Sequence, residues 1–334
     1  MSGMDLIVNG VGTVRTSLGG RRYYQGIMAH LAWPGKVEVT PLPRWRQLER
    51  ATELAQRGRR DAIFWSPNHR GPLRAHNHVV TVLDCINVEY TYRGDWRLHL
   101  YRQLIQSLLG SAAAVVTISH ASRDAVLRNY RVPPDKILVI PGPVRFGELW
   151  PKVTEDAPVA QPFILMITNA LPHKNTAAAA RALAASRAAR EGVVLRVIGS
   201  MEEAGLEACR KAGLHVEFHR GISNEQLAQW MRQSRFVFSP SLDEGLNLPV
   251  AEALAQGANV LCSDVAVHRE FYDGEVLFCD PHDVEAMREG IDDALGRSCA
   301  WNLVETRPAK PTFADVAQQY RALFKRLGPA ATAL

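Results

Sequence analysis

A two-domain α/β fold built on parallel sheets is what this sequence predicts, and three observations carry the prediction. Strand-like apolar runs alternate with helical stretches along the whole chain, the pattern of sheets covered on both faces. The length, 334 residues, exceeds the size at which a single core usually stops growing. Between residues 142 and 162 the alternation gives way to an irregular stretch with prolines at 143, 151, 158 and 162, after which a fresh α/β series begins.

In the first half, residues 5–8 form a short apolar strand, followed by a Gly-rich loop reaching Gly19 and Gly20 and a helix over about 21–31. Residues 61–65 and 78–83 read as buried strands, 96–109 as an amphipathic helix and 113–118 as another strand. A helix over 122–130 opens on Ser122, a residue type suited to capping, and 137–140 closes the half as a strand. The second half gives strands over 163–168, 194–198, 216–218, 236–239 and 259–262. Helices over 175–190, 201–212, 224–233, 249–256 and 284–295 alternate with them, and a last helix spans about 313–327. The domains expected are 1–150 and 151–308, with 309–334 as a terminal helix and tail.

Composition narrows the function classes. Hydrophobic residues make up 47% and charged residues 22%, ordinary for a chain that buries real cores. No apolar run approaches the roughly 20 residues that span a bilayer, and residues 1–5 do not resemble a secretion signal. The five cysteines are scattered, odd in number and without C-x-x-C spacing, which suits reduced thiols in a cytoplasmic protein and excludes a zinc frame of that spacing. His69, His76 and His78 cluster locally, but without a carboxylate pattern they read as loop surface rather than metal ligands. Residues 1–150 hold 20 Lys and Arg against 11 Asp and Glu, a balance of +9, whereas the remainder is at −4. That asymmetry suits phosphates, on anionic lipid or a phosphorylated acceptor, or a plain solvated surface. No nucleic-acid motif accompanies it, so nucleic acid is not an expected partner.

The most informative stretch is 239–252, Ser-Pro-Ser-Leu-Asp-Glu-Gly-Leu-Asn-Leu-Pro-Val-Ala-Glu. It leaves a strand and enters a helix with Pro249 near the first position, where a missing N–H costs nothing. The loop 244–248 then lies at a helix N-terminus, whose amides and dipole favour a phosphate or sugar hydroxyls, and Gly245 lets the backbone approach a ligand. Glu244 and Glu252 stand at its two ends, separated by a bend, and suit hydrogen bonding to diols. Taken singly, Glu244 reads equally as a solvated loop residue and Glu252 as a carboxylate complementing the helix dipole.

Glu244-Gly-Leu-Asn-Leu-Pro-Val-Ala-Glu252 resembles the E-x7-E motif of the family 4 retaining glycosyltransferases. The similarity continues through Ala255–Asp264 in its helix end and following strand, Glu270, and Leu277-Phe-Cys-Asp-Pro281. Upstream, Leu171-Pro-His-Lys-Asn175, 115–119, 133–137 and 140–144 match in the same order, so that the likeness covers roughly 78–325. It implies the GT-B architecture: two Rossmann-like domains facing each other across a cleft, with a C-terminal helix crossing back to the first.

The resemblance further implies roles for single residues. Lys174 holds the donor diphosphate, Glu252 the ribose hydroxyls, and Glu244 approaches the donor sugar beside the amides of Gly245, Leu246 and Asn247, with Leu248 opening the helix. Gly221 and Ile222 match the loop that contacts the base, and Gly20, with Gly19, brings first-domain backbone to the phosphates. Two positions depart from the family. Asn169 stands where an Arg is frequent, and Leu83-Asp84 replaces His-Asp, leaving Asp84 as the candidate contact to sugar or acceptor.

With no D-x-D motif, no divalent metal or other cofactor is expected, and Lys174, the helix N-terminus and the loop amides would stabilise the leaving diphosphate. The implied reaction is retaining sugar transfer from a nucleotide-sugar donor, with GDP-mannose the first candidate because the subtype resembles mannosyltransferases. A glycan or lipid-linked acceptor in surface polysaccharide or lipopolysaccharide synthesis follows, with peripheral membrane contact through the basic first half. Three other classes stay open. Gly10-Val-Gly12 after the first strand suggests a dinucleotide oxidoreductase, though Arg15 occupies the third glycine position. A nucleotide-sugar hydrolase or epimerase on the same fold, and a non-catalytic partner subunit, complete the alternatives.

Overall fold

A computed structural model of the chain describes residues 4–10, 18–40, 61–72, 76–91, 96–145, 151, 153, 161–297 and 310–328. Gly12 and Arg15 of the glycine motif, and Cys299, one of the five cysteines, lie outside these residues. The chain divides into two compact units, one of residues 1–143 with 311–334 and the other of 144–310. Each carries its own six-stranded sheet, and every pairing within the two sheets is parallel.

In the first unit, strands β1 (Asp5–Val8), β2 (Val37–Val39), β3 (Ala62–Ser66), β4 (His78–Val82), β5 (Ala114–Thr117) and β6 (Ile137–Val139) lie in the order β2-β1-β3-β4-β5-β6. β3, β4 and β5 are buried at every residue, which is why they read as unbroken apolar runs. The edge strand β2 escaped the sequence reading because it is three residues long and leaves both valines exposed. His78 is wholly buried, not loop surface: it opens β4, its ring meets Phe64 edge-on, and Nε2 lies 2.9 Å from the Ser66 hydroxyl.

Helices α1 (Leu18–His30), α2 (Arg97–Ser111) and α3 (His120–Asn129) belong to this unit. Gly19 and Gly20 sit in the first turn of α1 rather than in the preceding loop. A glycine costs a helix only about 1 kcal/mol relative to alanine, so tertiary packing easily overrides it at a terminus. The cap of α3 is Ser119, whose hydroxyl accepts from Ser122 N–H, while the Ser122 hydroxyl donates to the Leu83 carbonyl.

The last helix, Phe313–Arg326, also belongs to the first unit and packs on α1. Thr312 and Asp315 form a capping box at its start, and Phe313, Val316, Ala317, Tyr320, Leu323 and Phe324 form one buried stripe. Gly26 explains the contact: a Cβ there would stand 2.3 Å from the Phe313 ring. Deeper in, the Trp65 indole donates to Thr81, whose hydroxyl bonds Tyr320 at 2.7 Å, and Tyr320 meets Tyr23 at 3.1 Å. The helix therefore completes this unit's core with both apolar and hydrogen-bonded contacts.

The second unit holds β7 (Phe163–Thr168), β8 (Val194–Gly199), β9 (Val216–His219), β10 (Val237–Ser239), β11 (Val260–Ser263) and β12 (Leu277–Cys279), in the order β12-β11-β10-β7-β8-β9. Counted within the unit this is 3-2-1-4-5-6, the order of the dinucleotide-binding Rossmann sheet. The expectation of two Rossmann-like α/β halves holds. The helix expected over 175–190 is two, α4 (Thr176–Ala185) and α5 (Arg187–Arg190), because Ser186 turns extended and caps α5 by accepting from Ala188 N–H. α6 (Glu203–Lys211), α7 (Asn224–Gln233), α8 (Leu248–Ala255), α9 (Ala266–Tyr272) and α10 (Val284–Gly296) complete the unit, with Phe313–Arg326 as α11 of the chain. Seven-residue α9 and three-residue β12 are too short for their periodicity to register in sequence.

Candidate donor site

In a Rossmann sheet, ligands bind outside the carboxyl ends of the strands where the strand order reverses. In the second unit that point lies between β7 and β10, and the two residues singled out for chemistry follow those two strands. After β7 the chain passes Asn169 and Leu171, makes a tight turn over Pro172–Lys174, and enters α4 through Asn175, left-handed at φ 54°. After β10 it runs through 240–247 into α8. Leu242 N–H donates to the His173 carbonyl at 2.7 Å, tying the loops together.

Across this seam Lys174 Nζ bonds Glu244 Oε1 at 2.6 Å, with the side chains 17% and 11% exposed. Burial by itself raises the Glu244 carboxyl, but the Lys174 charge and hydrogen bond, the Ser241 hydroxyl and His173 outweigh it and hold the group below the usual carboxylate range. His173 is pushed down to about 4, chiefly by burial, with Glu244 opposing and Lys174 reinforcing the shift, so it is neutral at pH 7. The seam thus presents one cation and one carboxylate already in register.

The loop 244–248 is turned by Asn247, left-handed at φ 62° and ψ 64°, directly before α8, with Pro249 in the first turn. Gly245, Leu246 and Asn247 are buried. Among the described residues, their three successive backbone N–H groups meet no protein acceptor. Consecutive amides left open at a helix N-terminus form a concavity for an anion or for hydroxyl oxygens. Leu248, 9% exposed, begins the helix.

Not every expected residue stands open to a ligand. Glu252 is 1% exposed, in a helix whose residues 250–254 are all buried, so its carboxylate sits inside the packing rather than on a surface a ribose reaches directly. It lies near enough to Tyr272 to help hold that phenol protonated, after the larger effects of burial, Cys262 and Glu244. Asn169 is exposed and closes a small turn, its Oδ1 accepting from Leu171 N–H at 3.1 Å. Ile222 follows β9, itself half-buried in an otherwise exposed turn after Gly221, φ 66°, and precedes the Ser223 cap of α7. Lys174, Glu244, Asn169 and Ile222 thus all follow carboxyl ends of strands in one sheet.

Gly20 and Asp84 belong to the first unit. Asp84 follows β4 and its Oδ1 accepts from Ile86 N–H at 3.1 Å, while Gly20 is buried in the first turn of α1. Gly10, part of the dinucleotide motif considered above, has a packing reason instead: a Cβ would fall 2.0 Å from the Thr40 carbonyl oxygen. Among the described residues no group of three or more His, Cys, Asp or Glu is placed to hold a metal ion. Cys85, Cys209, Cys262 and Cys279 are buried free thiols. No described helix is long and apolar enough to cross a membrane.

The sequence reading missed the residues behind the loop. His268 and Tyr272 on α9, with Ser241 and Ser263, fix the turn at Asn247 and the carboxylate of Glu244. An Asn two residues ahead of the helical Pro249 was the one signal available, since Asn tolerates the left-handed region.

Comparisons with known proteins bear on the family and the fold. Residues 152–300 match the family model described as glycosyl transferases group 1, and residues 13–146 match that of glycosyltransferase family 4. The chain is 26% identical over 266 residues to O-antigen chain mannosyltransferase B of Escherichia coli, covering 75% of this chain and 70% of that protein. It is 23% identical over 243 residues to O-antigen chain mannosyltransferase RfbU of Salmonella typhimurium, covering 70% and 67%. Its fold resembles that of WaaG, a glycosyltransferase involved in lipopolysaccharide biosynthesis, at TM-score 0.62 and 17% identity over 98% of both chains. An α,α-trehalose-phosphate synthase from Burkholderia vietnamiensis aligns at TM-score 0.64 and 13% identity over 100% of both.

Proposed function

Because this chain belongs to the family 4 glycosyltransferases of GT-B architecture, we propose that it transfers mannose, with retention, from GDP-mannose to a growing surface glycan. The observation that carries the reading is the Lys174–Glu244 pair at the switch point of the second sheet, beside three open amides. As the bond between the anomeric carbon and the phosphate oxygen breaks, positive charge grows on the sugar ring and negative charge on the departing diphosphate. Lys174 and the amides of 245–247 take up the negative charge, a role that fixed donors perform well in a partly desolvated site. Glu244, ionised at neutral pH, accepts hydrogen bonds from sugar hydroxyls and shares Lys174 with the phosphate.

Retention is assigned to attack on the face the diphosphate leaves, with the departing phosphate oxygen taking the acceptor proton. No side chain is then needed as general base, and the charge is handled without a metal ion. Glu252 is assigned to the ribose, which requires local opening of its buried carboxylate. The mannose and O-antigen assignments rest on what the two bacterial relatives are called, and the acceptor is placed in the same class of lipid-linked saccharide. Peripheral association with an anionic membrane through the basic first half follows from its +9 balance.

A thermal-shift panel of GDP-, UDP-, ADP- and dTDP-sugars tests the donor, since a ligand that binds only the folded protein raises its midpoint. GDP-mannose should give the largest rise, undiminished by EDTA. A larger rise with another nucleotide would reassign the donor, and a rise that EDTA abolishes would remove the metal-independent mechanism.

A further inference from the structure

We propose that His268, together with Tyr272, is a positioning residue of the donor loop, holding Asn247 in its left-handed turn so that the amides of 245–247 face the ligand. This rests on the donor-site reading above.

Both side chains project from one face of α9 one turn apart, and both are fully buried, with ring centroids 6.2 Å from each other. His268 Nδ1 lies 2.8 Å from the Ser263 carbonyl, which only accepts, so Nδ1 carries the hydrogen. Nε2 is therefore the acceptor, and it stands 2.7 Å from Asn247 Nδ2. The second Asn247 amide hydrogen goes to the Ser239 hydroxyl at 2.7 Å. These partners fix both the amide orientation and the imidazole tautomer.

Burial first, then the neighbouring Lys174, lowers the His268 pKa against the opposing pull of the Ser263 carbonyl, Glu244 and Asp264. A neutral ring at pH 7 agrees with the acceptor role. Tyr272 restrains the main chain at the same place: its hydroxyl is shared between the carbonyls of Leu246 at 2.7 Å and Asn247 at 3.1 Å. The carbonyls of Leu246 and Asn247 are thus fastened from behind, and the N–H groups of Asn247 and Leu248, which share those two peptide planes, are turned the other way.

Asn tolerates the left-handed region better than other non-glycine residues, and the brace fixes Asn247 in it. Glycine adopts the same conformation freely. Coupling follows from this: His268 matters through Asn247 and should matter little where residue 247 is glycine.

The test uses the full chain and four variants: His268→Phe, His268→Gln, Asn247→Gly and Asn247→Gly/His268→Phe. Amide hydrogen exchange over residues 241–252 and calorimetric binding of GDP, UDP, ADP and dTDP are the readouts. His268→Phe should speed exchange in that segment and weaken the nucleotide that binds wild type by about 10-fold. His268→Gln, which keeps an acceptor and a donor, should recover most of both. In the Asn247→Gly background, His268→Phe should add less than about 2-fold.

Unchanged exchange in a folded His268→Phe protein overturns the brace. Faster exchange with unchanged affinity overturns the positioning role, as does an equal loss in both backgrounds. If none of the four nucleotides binds wild type, the donor-site reading fails, and the exchange result alone decides whether the brace exists.

Discussion

The two sheets are built alike, six parallel strands each, yet among the described residues the points where their strand order reverses differ in chemistry. In the second unit, the end of β7 and β10 carries a cation, a carboxylate and three amides without a protein acceptor. In the first unit, between β1 and β3, the hydrogen bonds among the described residues join neutral groups. Asn9 donates to the Arg70 carbonyl at 2.8 Å, Gly10 N–H to the Thr40 hydroxyl at 2.9 Å, and Ser66 bonds His78, which burial pushes down to about 3. A fold supplies the location of a site, and the residues on its loops decide whether charge can be handled there. On this ground we assign the donor chemistry to the second sheet.

Substitution at the two places should separate them. Lys174→Ala should lower donor turnover by about 100-fold or more, because it removes a fixed positive donor from the departing diphosphate. Asn9→Ala should instead cost about 0.5–1.5 kcal/mol of stability by removing the part-buried hydrogen bond to the Arg70 carbonyl, seen as a lower calorimetric midpoint with unchanged nucleotide affinity. The opposite pattern would erase the distinction between the two sheet ends.

Glu252 sharpens the comparison inside the second unit. Its expected role is ribose binding, while its burial fits a packing role equally well in kind. We expect Glu252→Gln to weaken nucleotide binding about 10-fold, the loss of one charge-assisted hydrogen bond, with the thermal midpoint of the free protein nearly unchanged. A lowered midpoint with intact affinity would move Glu252 from the site to the core.

The smallest effect is one of pH. The Glu244 pKa is depressed in the folded chain, so its stabilising contribution is present above the unfolded value of about 4.3 and is lost as pH falls through the lower folded value. Midpoints measured across that acid window should fall less steeply in Glu244→Gln than in wild type.

Much of this was legible from residue order alone. β1 and β7 match the expected strands at both ends, because strands buried on both faces are written as continuous apolar runs. The loop carrying Glu244 was legible for another reason: a strand, a glycine and a helical proline together mark a helix N-terminus. What stayed hidden depended on contacts distant in sequence. Lys174 and Glu244 are 70 residues apart, and nothing local announces their ion pair. Gly19 and Gly20 looked like loop because glycine is a poor helix former, yet α1 includes them in its packed first turn. The burial of Glu252 had a partial signal, since Leu-Pro-Val-Ala-Glu-Ala-Leu-Ala leaves no polar face and a helix apolar all round is interior.

A crystal structure with GDP bound tests the central claim most directly. Diphosphate oxygens within about 3 Å of Lys174 Nζ and of the amides of Gly245, Leu246 and Asn247 are the predicted result. A diphosphate bound away from this seam, with the Lys174–Glu244 pair untouched by it, would contradict the assignment of the second sheet's switch point as the donor site.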